Sequence, residues 1–586
     1  MTPKRIRGHS SRLGWSLLIL LLLGALTTSV LAEITPADRR IQWDPGVRGD
    51  IPARSTVSIN VRNAPYSAVG DGVADDTSAI QCAILDCTAG QVVYIPTGTY
   101  KITSAVYIKN NITLRGDGIG KTIIKGGTPF GSNFLIGFED GSFDPDFAMS
   151  TARDLSSGYT KGSVSISTSV EHGWSAGDYI LIDQLEDPNG DPPITRTGSE
   201  GPCTWCGRAN GMRPIGQWAK ILTVPTTTTA TIDPPLYWNY NSAKIPQGIK
   251  VVGFKHDSGI EDLTIDNGVS NAFDTVYFHF AINCWLLRVE LKGSHRRMVE
   301  MYGGLWNTIR SCILHDGVPA TPTVGPQYGP DRAYGVFLGP WPTACLIEDN
   351  IFYALTLMIS LEGAPSGNVI AYNFFKDSYY DDPDWGRLTI GCHGAHPMMN
   401  LIEGNHAEDK FDADFYHGSS SHQTFFRNRM FNQPGKLYGS WGFDIYMKSQ
   451  YFNIVGNVLG TNYENKYELT ENFDYMTDRS IYRLGYFDAG DASGSDNDAG
   501  VKATMLRHGN WDSVTNTTVW DPAISDRNLP PSLYLIGKPS WWGKNLPWPA
   551  IGPDLSPMDG VIPAQWRFNH GSGIPQPPGG PRIKRH

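Results

Sequence analysis

The sequence has few charged residues and no excess of basic ones. Charged side chains make up 18% of the 586 residues, and acidic groups outnumber basic ones, giving a formal net charge of −10. A chain without a basic field lacks the electrostatic footprint of a nucleic-acid binder, so we expect no nucleic-acid partner. With 40% hydrophobic and 11% aromatic residues, the composition is that of a large folded protein rather than a disordered chain.

Long hydrophobic runs are absent except near the N-terminus. There, several basic residues precede the apolar run LLILLLLGAL, and the small residues VLA end at Ala32. This pattern predicts a secretory signal peptide over residues 1–32, cleaved after Ala32. Because the apolar run is short for a full membrane span, we expect a secreted or periplasmic protein with no stable membrane insertion after cleavage.

Cysteine is scarce, with eight residues in the chain. Cys203 and Cys206 form a CxxC pair in a loop, but no second close pair completes a zinc site, so we expect no bound metal there. Cys82 and Cys87 are close enough in sequence to staple a helix to the loop that follows it. Four further cysteines fall in apolar, strand-like stretches typical of buried thiols: Cys284, Cys312, Cys345 and Cys392.

The stretch GDGVADDTSAIQCAI, from Gly70 to Ile84, suggests a phosphate or metal loop but lacks the residues of either. A dinucleotide fingerprint needs a glycine at Asp75, and a calcium loop needs an oxygen ligand at Val73. The pattern after Asp75 is helical, and Ser78 with Gln81 has the spacing of a capping box. The apolar face of this predicted helix consists of Ala79, Ile80, Ala83 and Ile84.

Short β-branched runs separated by turns follow this helix, in QVVYIPTGTYKI and NITLRGDGIGKTIIKG. Together with the helix, the stretch from Val61 to Gly127 resembles the opening segment of the pectate lyase superfamily. The resemblance implies an all-β, right-handed parallel β-helix solenoid with an N-terminal capping helix. The superfamily includes polygalacturonase-like hydrolases, β-glucanases, mannuronan epimerases and phage tailspikes, so the resemblance implies a polysaccharide partner. No catalytic motif of those enzymes is matched, and no catalytic residue is transferred.

The segment 152–240 interrupts this pattern. Its strands alternate apolar and polar residues and flank a Gly/Pro-rich loop that contains CTWC, which predicts an antiparallel β insertion with a long loop. We therefore expect a linker over 33–60, a β-helix over 61–480 with this insertion inside it, and a Pro/Trp-rich extension over 481–586 that packs on the β-helix.

A repeat begins at Gly259, where nine-residue windows such as GIEDLTIDN, NVIAYNFFK and FNIVGNVLG recur with a period in the twenties. Such a period is typical of stacked β-coils. The sixth position is asparagine in five successive windows, which predicts an amide ladder that belongs to the fold. These asparagines are Asn350, Asn373, Asn405, Asn428 and Asn457.

Polar residues interrupt apolar strands about eleven or twelve residues before these sixth positions. The series is His279, Glu300, Glu362, His393 and His417, with Lys448 near the corresponding place in the last window. On adjacent coils, strands lie about 4.8 Å apart, so these groups are expected to meet around one sugar linkage. The preceding loop adds Asp384, Trp385 and Arg387.

Three functions remain open. The first is glycoside hydrolysis, with Glu362 and Asp384 as the carboxyl pair and with His393 and His417 as tuning groups. Substrate contacts would come from Glu300, Trp385, Arg387, Tyr446 and Lys448.

The second is a uronate lyase or epimerase, with His417 or Lys448 as base and Arg387 or a Ca²⁺ ion stabilising the charge. Outside that case no cofactor is expected. The third is a non-catalytic glycan-binding or adhesin solenoid, which the fold, the export signal and the aromatic residues also fit.

Overall fold

The structure is a computed structural model that describes most of the chain. It covers residues 34–139, 151–270, 272–317, 333–379, 384–433, 435–436, 438–460, 467–472, 479–487, 497–543 and 545–571. The predicted signal peptide lies outside the described residues. Among the described residues, no helix is both long enough and apolar enough to cross a membrane.

The chain winds into a parallel β-helix whose coils each contribute strands to three stacks. The first stack, called the site sheet below, has eleven strands within the described residues. In stacking order they are Val106–Tyr107, Phe134–Phe138, Asp274–His279, Arg297–Tyr302, Tyr334–Leu338, Leu357–Leu361, Leu388–Cys392, Lys410–Ala413, Phe443–Tyr446, Ser480–Tyr486 and Leu469–Asn472.

The other two stacks run side by side and share two long strands, Gly259–Asp266 and Trp285–Lys292. The second stack comprises Val57–Asn60, Val92–Tyr94, Thr113–Arg115, Gly259–Asp266, Trp285–Lys292, Thr308–Arg310, Leu346–Glu348, Val369–Ala371, Leu401–Glu403, Thr424–Phe426, Asn453–Val455 and Leu506–His508. The third comprises Asp71–Asp75, Gly98–Ile102, Thr122–Gly126, the same two long strands, Ile313–His315, Ile351–Leu355, Phe374–Ser378, His406–Glu408, Arg429–Phe431, Val458–Leu459 and Asn510–Asp512. Thr517–Val519 then pairs antiparallel with Asn510–Asp512.

The core consists of apolar columns inside the coils. One column lies in register across six coils and is almost fully buried, each side chain stabilising the fold by about 1.5–3 kcal/mol relative to an exposed one. Its members are Ile309, Ile347, Ile370, Ile402, Phe425 and Ile454.

The predicted asparagine ladder is present at the turn between the second and third stacks. Asn373 Nδ2 donates to Asn405 Oδ1 at 3.0 Å and to the Ile347 carbonyl at 2.9 Å, and its neighbours repeat this arrangement. A second amide ladder, which the sequence analysis missed, lies before the second stack and joins Asn368, Asn400 and Gln423. Both ladders satisfy buried backbone groups at the turns.

The capping helix is Thr77–Asp86, and it buries Ile80, Ala83 and Ile84 as predicted. The predicted capping box is wrong, because Gln81 instead exchanges two hydrogen bonds with the backbone of Tyr107 in the site sheet. The remaining helices are the α-helices Ala499–Thr504 and Pro563–His570 and the 3₁₀ turns Ala37–Arg39, Ser242–Lys244 and Ser540–Trp542.

The antiparallel insertion is present and closes into a six-stranded barrel. In order around the barrel, its strands are Ser165–Thr168, Thr229–Asp233, Ile215–Thr226, Tyr179–Gln184, Gln247–Val251 and Arg153–Ser157. The insertion thus ends at Val251 rather than at residue 240, because the last strand is needed for closure. A small hairpin, Thr197–Gly198 with Gly201–Pro202, lies in its long loop.

The β-helix also exceeds its predicted bounds at both ends. The strand Val57–Asn60, placed in the predicted linker, pairs in parallel with Val92–Tyr94. At the other end, Leu506–His508 continues the second stack beyond residue 480. The Pro/Trp-rich extension packs along the second and third stacks, where Trp542 is fully buried.

The cysteines follow the predictions in part. Cys203 and Cys206 form a disulfide. Cys82 and Cys87 are free thiols, so the predicted staple is wrong. The four cysteines expected to be inert are buried and free, and burial raises the pKa of the Cys284 thiol to about 12.

Candidate active site

A cavity of about 950 Å³ lies on the outward face of the site sheet. It is lined by charged and aromatic side chains from seven successive coils and from the loop of the barrel insertion. The lining residues are Glu200, Trp205, Arg296, Arg297, Glu300, Tyr302, Tyr334, Phe337, Pro340, Leu357, Ser360, Glu362, Trp385, Arg387, Leu388, Gly391, His393, Lys410, Asp412, Asp414, Tyr416, His417, Tyr446 and Arg483.

The lining residues of the site sheet fall into three rows that run across the coils, because strand register places equivalent positions beside one another. The first row is Arg297, Tyr334, Leu357, Leu388 and Lys410. The second is Glu300, Phe337, Ser360, Gly391, Asp412, Asp444 and Arg483. The third consists of the residues that directly follow Leu361, Cys392, Ala413 and Ile445, which are in register: Glu362, His393, Asp414 and Tyr446.

The structure brings together most of the residues predicted from the sequence. Seven of the nine line the cavity: Glu300, Glu362, Trp385, Arg387, His393, His417 and Tyr446. Asp384 is exposed and is not among the described lining residues, so the structure does not bring it into the cavity with Glu362.

Two positions of the predicted column are wrong. Asp414, not His417, follows His393 in the third row, since the connection after Lys410–Ala413 is longer than in the preceding coils. His417 instead reaches the cavity from that connection. Lys448 lies outside the lining, with its Nζ 5.4 Å from the Phe415 ring centre.

Glu362 is a buried carboxyl group in the centre of the third row. Its Oε1 accepts a hydrogen bond from Ser360 Oγ at 2.9 Å, and its Oε2 accepts one from Trp205 Nε1 at 3.4 Å. Burial raises the pKa of Glu362, while the neighbouring cations His393 and Arg297 oppose that rise. Burial thus favours the protonated form of Glu362, and the two cations favour its carboxylate.

His393 and Asp414 form an ion pair on neighbouring coils. The distance between His393 Nδ1 and Asp414 Oδ2 is 2.7 Å, and the second oxygen of Asp414 accepts from the Tyr416 backbone N–H at 3.1 Å. Burial alone would lower the pKa of His393, but the charges of Asp414 and Glu362 raise it to about 10. The imidazole is thus a cation at neutral pH, not a free base.

Asp412 has an unusual environment at the far end of the cavity. It is only 6% exposed, and its Oδ1 has no hydrogen-bond partner among the described residues. Its neighbour Asp444 is held by Arg483, whose Nε donates to Asp444 Oδ1 at 2.6 Å. Burial, together with the charge of Asp444, raises the pKa of Asp412 to about 8, although Lys410 opposes the rise. The raised pKa favours the protonated form of Asp412, so the group is suited to donate a proton.

Cationic and aromatic groups flank the carboxyl groups at both ends. Arg297 forms an ion pair with Glu300 at 2.5 Å, and its guanidinium lies 3.7 Å from the Phe337 ring centre. At the other end the Arg483 guanidinium lies 3.5 Å from the Trp441 ring centre, and its Nη1 is buried without a partner among the described residues. The sequence analysis missed Arg297, Lys410 and Arg483, although all three occupy outward positions of apolar strands.

The carboxylates do not fit a Ca²⁺ site. Asp414 and Asp444 already bind His393 and Arg483 through charge-assisted hydrogen bonds, while Ca²⁺ requires six to eight oxygen ligands. Among the described residues, no group of three or more His, Cys, Asp or Glu side chains is arranged to hold a metal ion.

Comparison with known proteins locates sequence similarity in the N-terminal segment. Residues 58–151 match the family model "Rhamnogalacturonase A/epimerase, pectate lyase-like". Mannuronan C5-epimerase AlgE3 from Azotobacter vinelandii is 38% identical over 78 residues, covering 12% of this chain and 4% of that protein. A probable glucan endo-1,3-beta-glucosidase from Arthroderma benhamiae is 42% identical over 59 residues, covering 10% and 6%. The chain thus spans less than a tenth of either relative's length.

The structural comparison covers a larger part of the chain. The tailspike protein gp49 from Pseudomonas phage LKA1 has a TM-score of 0.50 and 15% identity, covering 68% of this chain and 64% of that chain. At this identity the likeness shows the fold alone. The family model ends at residue 151, before the first lining residue, so no catalytic residue is transferred. The N-terminal match and the fold together support the pectate lyase superfamily of right-handed parallel β-helices for this chain.

Proposed function

We propose that the chain is an exported enzyme that hydrolyses a glycosidic bond of a polysaccharide in the cavity of the site sheet, with Asp412 as general acid and Glu362 as general base. The observation that carries the proposal is geometric. Two buried carboxyl groups two coils apart face one open cavity, and Asp412 Oδ1 has no partner among the described residues. The relatives named for mannuronan and glucan support a polysaccharide as substrate.

The separation of the two groups favours inversion over retention. Strands lie about 4.8 Å apart, so two coils separate Asp412 from Ser360, its partner in register, by roughly 10 Å, and Glu362 lies two residues farther along that strand. The backbone separation is therefore well above the spacing that retention needs. Inverting glycosidases hold their carboxyl groups about 6.5–9.5 Å apart, which leaves room for a water molecule, whereas retaining enzymes need about 5–5.5 Å.

The protonation states suit these roles. Asp412 donates its proton to the glycosidic oxygen as the bond to the anomeric carbon breaks. Glu362, whose carboxylate form the cations His393 and Arg297 favour, accepts a proton from the water whose oxygen bonds to the anomeric carbon. Asp412 is left as a carboxylate and Glu362 as an acid, and exchange of one proton with solvent restores both.

Neighbouring residues keep the pair in these states. The His393–Asp414 ion pair places a cation beside Glu362, which stabilises its carboxylate. Asp444 supplies the negative charge that keeps Asp412 protonated. Arg297 and Arg483 border the two ends of the cavity, where their donors face sugar hydroxyl or carboxyl groups.

The test is product analysis on the mature protein with laminarin, polygalacturonate and alginate. We expect new reducing ends without absorbance from unsaturated products, and we expect E362Q and D412N to lose this activity. D384N serves as the matched control, since Asp384 lies outside the cavity lining. Equal losses in D384N and D412N would overturn the assigned pair.

Other products would favour the other two readings. Unsaturated sugars would indicate β-elimination, for which His417 is the available weakly basic imidazole, because burial and the cation His393 lower its pKa. Binding of a polymer without release of any product would indicate a glycan-binding solenoid.

A further inference from the structure

The long loop of the barrel insertion, residues 195–213, forms one wall of the cavity and is called the disulfide loop below. It belongs to a unit inserted between early coils, yet it contributes Glu200 and Trp205 to the lining. The disulfide Cys203–Cys206 closes the turn that carries Trp205.

The disulfide loop is fixed to the site by backbone hydrogen bonds. Ser199 N donates to the Phe415 carbonyl at 2.9 Å, and Glu200 N donates to the Tyr416 carbonyl at 3.0 Å. These acceptors lie in the connection that also carries His417. The loop therefore has a defined position over the third row rather than an independent one.

The β-helix is shaped to receive the disulfide. Gly363 and Gly394 directly follow Glu362 and His393, and both have left-handed backbone angles, φ +65° and φ +91°. A Cβ at Gly363 would lie 3.0 Å from Cys206 Cα, and one at Gly394 would lie 2.8 Å from Cys206 Sγ. Side chains at either position would push the disulfide loop away from the catalytic row.

The Trp205 side chain contacts Glu362 and His417 and is also partly exposed to the cavity. Its Nε1 donates to Glu362 Oε2 at 3.4 Å, and its ring packs edge-on against His417 with 4.7 Å between centroids. The residue is nevertheless 42% exposed at the cavity. A large aromatic surface left open beside a carboxyl group offers an apolar platform to the C–H face of a sugar ring.

We propose that Trp205 binds substrate by stacking on a pyranose ring next to Glu362, and that the Cys203–Cys206 disulfide holds the indole in place. The assignment rests on the proposed function, because it requires a polysaccharide in the cavity. It makes the barrel insertion a part of the binding site.

The test measures polymer binding without turnover, in the D412N background, by affinity electrophoresis in gels containing laminarin, polygalacturonate or alginate. On the polymer that retards the parent most, W205A should bind about tenfold more weakly. W205F should regain much of the loss, because it restores a ring. W566A is the matched control, since Trp566 is also 42% exposed but lies on the C-terminal extension.

The outcomes separate the two proposals. If the parent is retarded by a polymer and W205A migrates like it, the assignment of Trp205 is wrong while the proposed function stands. If no polymer retards the parent, the proposed function fails and the assignment fails with it. The C203S/C206S variant should weaken binding in the same direction as W205A, and unchanged binding there would overturn the role of the disulfide.

Discussion

Two buried carboxyl groups on opposite faces of the β-helix have raised pKa values but different surroundings. Glu403, beneath the C-terminal extension, has its pKa raised to about 7 by burial, and it accepts hydrogen bonds from the Tyr372 hydroxyl at 2.7 Å and the Leu533 N–H at 2.8 Å. Asp412, on the site sheet, has its pKa raised to about 8, yet its buried Oδ1 has no hydrogen-bond partner among the described residues, and the residue lines a cavity. A raised pKa alone therefore does not mark an active site.

Two arginine–carboxylate pairs on the covered face show the same contrast. Arg427 binds Asp554 and Arg567 binds Asp349 through paired hydrogen bonds. The site sheet leaves Asp412 Oδ1 and Arg483 Nη1 without protein partners among the described residues. Unpaired buried groups cost about 1–3 kcal/mol each.

The strongest test of this difference compares D412N with E403Q. We expect D412N to lower kcat about 10²–10⁴-fold, because it removes the proton donor. E403Q should leave kcat within about twofold, because the amide oxygen still accepts from Tyr372 or Leu533. The measurement is kcat of both variants on the polymer that wild type cleaves fastest. A comparable fall in kcat in both variants would contradict the assignment of Asp412, and not Glu403, to the active site.

The covered face should instead control stability. Trp542 is fully buried and packs edge-on against Tyr372 with 4.8 Å between ring centroids. W542A should cost about 3–5 kcal/mol of unfolding free energy, since it opens a large cavity. Its kcat per folded molecule should stay near wild type. Thermal unfolding and active-site-normalised rates would check this, and a large fall in kcat with unchanged stability would speak against it.

The pH dependence of kcat/KM should show the state of Asp412. Activity requires the protonated acid, so it should fall as pH rises through about 8. D444N removes the negative charge that raises this pKa, so the alkaline limb should move to lower pH. If the alkaline limb stays at the same pH in D444N, the loss of activity at high pH does not come from Asp412.

The His393–Asp414 pair should contribute a smaller, pH-dependent stability. The folded pKa of His393 is raised to about 10, compared with about 6.5 in an unfolded chain. Its stabilisation is therefore fully present below about pH 6.5 and is lost as pH rises through about 10. The Tm difference between wild type and H393Q should narrow from pH 6 to pH 10.5. A difference that widens over this range would contradict the ion pair.

The fold was predictable because its signals repeat from coil to coil. The asparagine ladder follows from asparagine at the sixth position of five windows, and the second ladder was visible as amides at the first position, in Asn368, Asn400 and Gln423. The capping helix follows from its apolar spacing, although the contact of Gln81 with Tyr107 depends on the coil that comes later.

The site was predictable only where the coils keep a constant length. Glu362 and His393 could be located by counting back from the ladder, but a longer connection displaced His417 and left Asp414 in the row. Trp205 could not be predicted, because it meets Glu362 across 157 residues of sequence. The lack of a hydrogen-bond partner for Asp412 Oδ1 among the described residues likewise depends on the tertiary structure.

The most direct measurement is of the products released by wild type and D412N from laminarin, polygalacturonate and alginate. The account predicts that wild type releases reducing ends from at least one polymer, with no unsaturated product, and that D412N releases almost none. Unsaturated products, or undiminished reducing ends from D412N, would contradict the assignment of Asp412 as the acid of a hydrolase.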